Sequence, residues 1–170
     1  MSTSHARILR RALRLLNDEH NSEWDKITDT LDGLDLSDPA DLAVRGRCRL
    51  QARRFDGAVA DLEAAVSGGV DEPEAHFGLG EALSTMAKIE NLAAAGHTYH
   101  AHAAKGDPHD TAERAIECLR STLRLLPDST IARYALCEEL EGLGRYGEDC
   151  RSFVHTKSLI VAETVSYTGT

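Results

Sequence analysis

One apolar pattern recurs along this chain at a spacing of about 34 residues, and that recurrence constrains the fold more than any other feature. Gly46 and Gly80 mark the clearest step, each in the middle of a segment with helical periodicity. Ala58, Leu62 and Ala65 follow Phe55 at intervals of three and four, so they share one helix face. Ala115, Leu119 and Leu123 repeat that relation and close on Leu125-Leu126-Pro127. A further segment opens with Tyr134, Leu136 and Leu140 and turns at Gly144-Arg145-Tyr146-Gly147. A unit of this length holds one helical hairpin, which cannot bury its own apolar face. Successive hairpins must therefore stack and supply one another's core. The expected fold is all-α: three to four stacked antiparallel helical hairpins forming a single domain over residues 1–170.

Helix punctuation places the hairpins near 4–36, 39–69, 73–127 and 129–163. In the first, Asn21 or Ser22 is positioned to cap a second helix carrying Trp24, Ile27, Leu31 and Leu34 on one stripe. Ser37-Asp38-Pro39 opens the second hairpin, which turns at Ala52-Arg53-Arg54-Phe55-Asp56 and stops at Gly68-Gly69. Asp71-Glu72-Pro73-Glu74 opens the third, with acids suited to a helix N-terminus. Its first helix reads from Pro73 to Lys88. An alanine-rich insertion at about 89–106 then breaks the period. It either extends that helix as a projecting arm or forms a short helix of its own, before Asp107-Pro108 starts the next. At the N-terminus Arg7, Arg10, Arg11 and Arg14 precede any acid, a composition like that of an organelle transit peptide. Ile8, Leu9, Ala12, Leu13, Leu15 and Leu16 make the same stretch an amphipathic helix, and packing is the expected role.

Composition narrows the function classes. Aromatics are 5% of the chain, and alanine and leucine dominate its apolar set, which favours helix over sheet. The net charge of −9 argues against nucleic acid, whose affinity rests on phosphate neutralisation. No window approaches the ~18 apolar residues of a membrane span, so no membrane partner is expected. Cys48, Cys118, Cys137 and Cys150 form no C-x-x-C pair and read as reduced core thiols of a cytoplasmic protein. The chain has no G-x-S-x-G, P-loop or H-E-x-x-H, so neither an enzyme nor a cofactor is expected. Asp29, Asp32 and Asp35 fall at every third residue, whereas a calcium loop needs alternate ones; they read as acids solvating a helix end.

Two polar clusters stand out. Arg45, Arg49 and Arg53 form one helical stripe that could bind an anionic segment through forked hydrogen bonds, while Arg47 and Arg54 face elsewhere. The plainer alternative is a solvated helix neutralised by Asp41, Asp56 and Asp61. His97, His100 and His102 are metal-ligand candidates. On a helix only His97 and His100 share a face, however, and solvated or packed histidines are the expectation.

The hairpins resemble tetratricopeptide repeats. Leu79-Gly80 followed by Leu83 is similar to the family's small-residue signature on the first helix, and Gly46 holds the same place one unit earlier. Phe55, Ala58 and Ala65 match its bend aromatic and packing alanines. Trp24, Gly144, Tyr146 and the Leu-Leu-Pro ending at 125–127 match other positions. Arg45, Arg49 and Cys137 depart from the pattern. The resemblance implies an α-solenoid whose first helices line a groove holding a peptide or helix of a partner protein. It would place Ala43, Arg47, Leu50 and Gln51 there, then Glu74, Phe77, Glu81 and Ser84, then Tyr134, Glu138 and Glu141. Leu50, Phe77 and Tyr134 would supply apolar contact; Arg47, Gln51, Glu81 and Glu138 would set register. The expected function is a non-enzymatic protein-binding module. Alternatives are a small acidic chaperone holding an unfolded client, or a scaffold forming a homo-oligomer through the 89–106 arm.

Overall fold

A computed structural model describes residues 3–18, 22–97 and 106–145 of the chain. All regular structure among them is helical: α1 (Thr3–Leu16), α2 (Trp24–Asp32), α3 (Pro39–Gln51), α4 (Phe55–Ser67), α5 (Pro73–Ala94), α6 (Pro108–Leu125) and α7 (Thr130–Gly142). The second helix expected for the fourth hairpin, and its bend at 146–147, lie outside the described residues.

Local chemistry sets the boundaries. Asp38 accepts a hydrogen bond from the Ala40 amide at 2.9 Å, with Pro39 in the first turn where its missing N–H costs nothing. Asp107 does the same for His109 at 2.8 Å, and Ser129 Oγ accepts from the Ala132 amide at 3.2 Å. The residue before α2 is Glu23, which makes no side-chain cap, so Ser22 does not hold the cap position expected of it; Asn21 lies outside the described residues. At the end of α3 the Arg54 amide reaches back to the Arg49 carbonyl at 2.8 Å, and Arg53 takes φ 60°, the left-handed conformation usually left to glycine.

Each helix packs against the next in sequence, most extensively α3 with α4 and α5 with α6. Alternate helices also touch in series, α1 on α3, α3 on α5 and α5 on α7. Apolar clusters follow that order. Leu9 and Ala12 of α1 meet Ile27 and Leu31 of α2 and Val44 and Cys48 of α3, so the arginine-rich N-terminal segment packs as a helix. Leu50, Ala58, Leu62, Leu79, Leu83 and Ala115 join α3 through α6. Ile116, Leu119, Leu136 and Leu140 join α6 to α7.

At the insertion the first helix is extended, one of the two expectations, over the residues described. Helix α5 continues past Lys88 to Ala94, then stops where Gly96 adopts φ 89° and the His97 amide bonds the Leu92 carbonyl at 3.0 Å. The added length is not a bare arm: Glu90 within it is buried and lies against Gly106, just before α6. Residues 98–105 lie outside the described residues.

Close approach at two glycines sets the helix spacing. A Cβ on Gly46 would stand 2.7 Å from Leu62 Cγ, and one on Gly80 would stand 3.0 Å from Leu119 Cγ. Leu62 and Leu119 are fully buried and cannot retreat. At Gly78 an added Cβ meets Leu62 at 3.5 Å and Arg47 at 3.6 Å, ordinary contact distances. Gly46→Ala should therefore cost about 1–3 kcal/mol in chemical denaturation. Gly78→Ala should gain about 0.5–1 kcal/mol from helix propensity alone.

Candidate functional site

The described surface carries an apolar cleft of about 160 Å³ where the start of α5, the end of α6 and the start of α7 converge. Pro73, Glu74 and Phe77 line it from α5, Thr122 and Leu126 from the α6 end, and Ser129 and Ile131 from the turn into α7. Its openness has a local cause. Leu126 leaves helical geometry at φ −133°, ψ 78°, because Pro127 follows and disfavours helix in the residue before it. The turn thereby leaves Leu125 and Leu126 at the surface. Ile131, 70% exposed, and Tyr134 follow on one face of α7, three residues apart. Phe77 is half-buried and packs on the α6–α7 cluster from below. Clustered exposed apolar side chains of this kind mark binding surfaces far more often than scattered ones.

Polar groups frame the cleft. Glu74 lines it, and Glu81 lies two turns further along α5 on the same side. Neither carboxylate is ion-paired or hydrogen-bonded among the described residues. Glu81 is open to water at its surface, yet the protein around it displaces part of its hydration and pushes its carboxyl above the ordinary value. On α7, Glu138 pairs with Lys88 at 3.2 Å, and the neighbouring Glu139, buried, accepts a hydrogen bond from Ser84. Arg47 of α3 reaches across to α5 beside Gly78, without an ion pair among the described residues.

Of the groove residues that the resemblance implied, Phe77 and Glu81 thus share α5, Tyr134 and Glu138 share α7, and Arg47 borders them from α3. Gln51 is exposed at the last turn of α3. Leu50 must be corrected: it is 7% exposed and packs in the core with Leu62 and Leu79, so it has no surface to offer. Leu126 and Ile131 are the additions. The Leu-Leu-Pro signal read as a hairpin closure also marked leucines that the closure exposes. Ile131 lies one turn before Tyr134 on the same face.

The arginine stripe resolves into an internal network. Arg45 grips Asp61 through Nε and Nη2, both at 2.8 Å, and Arg49 Nη1 adds a third bond to the same carboxylate at 2.8 Å. Asp61 is only 5% exposed. Its hydrogen bonds hold the Arg45 guanidinium above its ordinary pKa. Arg49 also bonds Asp32 at 2.9 Å, and Arg54 bonds Asp32 at 3.0 Å and Asp29 at 2.6 Å. The acids at 29 and 32 therefore neutralise arginines instead of solvating a helix end. Arg45 and Arg49 are occupied by protein carboxylates, and Arg53, in its left-handed turn, points away as an exposed side chain.

His97 is exposed just past the end of α5, and His100 and His102 lie outside the described residues. Among the described residues, no group of three or more His, Cys, Asp or Glu is arranged to hold a metal. Burial pushes the free Cys48 thiol up to about 12 and the Cys118 thiol up to about 11, which suppresses thiolate chemistry at both. Cys137 is disulfide-bonded, so the expectation of reduced thiols throughout is corrected there. Among the described residues no helix is long and apolar enough to cross a membrane. Asp61→Ala should leave the largely buried Arg45 guanidinium without its carboxylate, while Arg49 keeps Asp32, and cost about 3–5 kcal/mol of unfolding free energy, measured by urea denaturation.

No family model, characterised protein or solved structure matches this chain.

Proposed function

We propose that this chain is a non-enzymatic interaction module, a tetratricopeptide-like stack of hairpins that holds a peptide or short helix of a partner protein across α5 and α7. The observation that carries the reading is the open apolar cleft at Phe77, Leu126 and Ile131. It adjoins first helices that touch in series, the layout in which side chains from successive units project onto one surface. Binding energy at such a face comes from a few anchoring apolar side chains entering the cleft, and the surrounding polar groups fix direction. Ser129 in the cleft wall accepts the Ala132 amide and keeps its hydroxyl proton to donate to a carbonyl of the bound segment.

A random 16-residue peptide display library panned on the immobilised protein provides an unbiased probe. The selected peptides should carry apolar residues at helical spacing. In an isotope-labelled sample they should shift resonances of Phe77, Leu126 and Ile131. Ile131→Asp should weaken them at least about tenfold. Because Ile131 is exposed, the same change should alter stability by no more than about 0.5 kcal/mol. Peptides that bind the Ile131→Asp variant undiminished would assign binding to another surface.

A further inference from the structure

Several carboxylates that lie between helices are matched by cations; among the described residues, two on the cleft side of α5 are not. Asp61, Asp32 and Asp29 are matched by arginines across α2, α3 and α4. Glu63 pairs with Arg114, Glu113 with Arg145, and Glu138 with Lys88. Glu74 and Glu81 have no such match among the described residues, although one lines the apolar cleft and the other lies on the same side of the same helix. Seven residues separate them, a rise of about 10 Å along α5. Glu141 is a further exposed acid on α7 without an ion pair among the described residues. Arg47 at the α3 border is without an ion pair among the described residues, and so is Arg133 on α7, whose guanidinium donates to the Pro127 carbonyl at 2.6 Å.

We infer that the face selects a basic amphipathic segment of a partner protein, with apolar side chains in the cleft and lysine or arginine side chains on Glu74 and Glu81. This rests on the reading proposed above and names its ligand chemistry. Two carboxylates two helical turns apart suit a helical ligand whose cations repeat at the same interval, so anchor and charges can be read together. A cation arriving at Glu81 also relieves the charge that the surrounding protein has partly desolvated. An acidic segment would meet like charge at both positions, on a chain whose net charge is already −9. A second copy does not supply this ligand through α1, its arginine-rich amphipathic helix, because Leu9 and Ala12 of that helix are already buried in its own core.

The display selection tests this with the same probe and a second variant. The peptides that depend on Ile131 should be enriched in lysine and arginine over the starting library. Glu74→Gln combined with Glu81→Gln should weaken them about three- to tenfold at low salt and flatten their salt dependence. Ile131-dependent peptides without basic enrichment, or affinities within about twofold in the double variant, would overturn this inference and leave the binding module standing. Peptides indifferent to Ile131 would remove both. A dimer seen by light scattering that Ile131→Asp dissolves would give the face to a second copy and overturn it as well.

Discussion

The distance between helices at Gly46 is the constraint from which the rest of this structure follows. Leu62 of α4 occupies the space that any larger side chain on α3 would need. That contact lets the two axes approach, and it turns the apolar edge of the hairpin toward α5. The same device recurs where Leu119 of α6 lies over Gly80 of α5. A leucine on a glycine thus closes α4 on α3 and α6 on α5, and one apolar cluster runs through these four helices. At α7 the described surface keeps part of an apolar stripe uncovered, and the cleft lies there.

Charge is divided in the same way as apolar surface. Inside the stack, Asp61 collects three hydrogen bonds from two arginines, which places α3 and α4 in one register and ties them through Asp32 to α2. A buried carboxylate so fully matched costs little once formed, and sliding either helix would break it. Beside the cleft Glu74 and Glu81 are left unmatched among the described residues.

Much of this was legible in the residues. The 34-residue step, the glycines at 46 and 80 and the punctuation at Asp38-Pro39, Gly68-Gly69 and Asp107-Pro108 express local rules of spacing and capping, and the helices follow them. Features that depend on which helices meet were not legible. Asp61 was legible as a neutralising acid for the arginine helix, but its burial between α3 and α4, twelve to sixteen residues from Arg49 and Arg45, was not. Leu50 read as a groove residue because helical phase alone does not say whether α5 covers it. The end of α5 was left open between two readings because an alanine-rich stretch shows no clear face on which to count turns. The cleft was half legible: Phe77 and Tyr134 carried its aromatic signal. Ile131 and Leu126 needed the geometry of the turn between α6 and α7.

A double-mutant cycle between Gly46→Ala and Leu62→Ala, followed by chemical denaturation, tests the governing contact most directly. Leu62→Ala alone empties a fully buried site and lowers stability. It also vacates the space the new methyl would occupy. The account predicts that Gly46→Ala becomes nearly harmless in that background, with a coupling energy of about 1–3 kcal/mol. Costs that add to within about 0.5 kcal/mol would contradict it, because the two helices would then not be held apart by that glycine and that leucine.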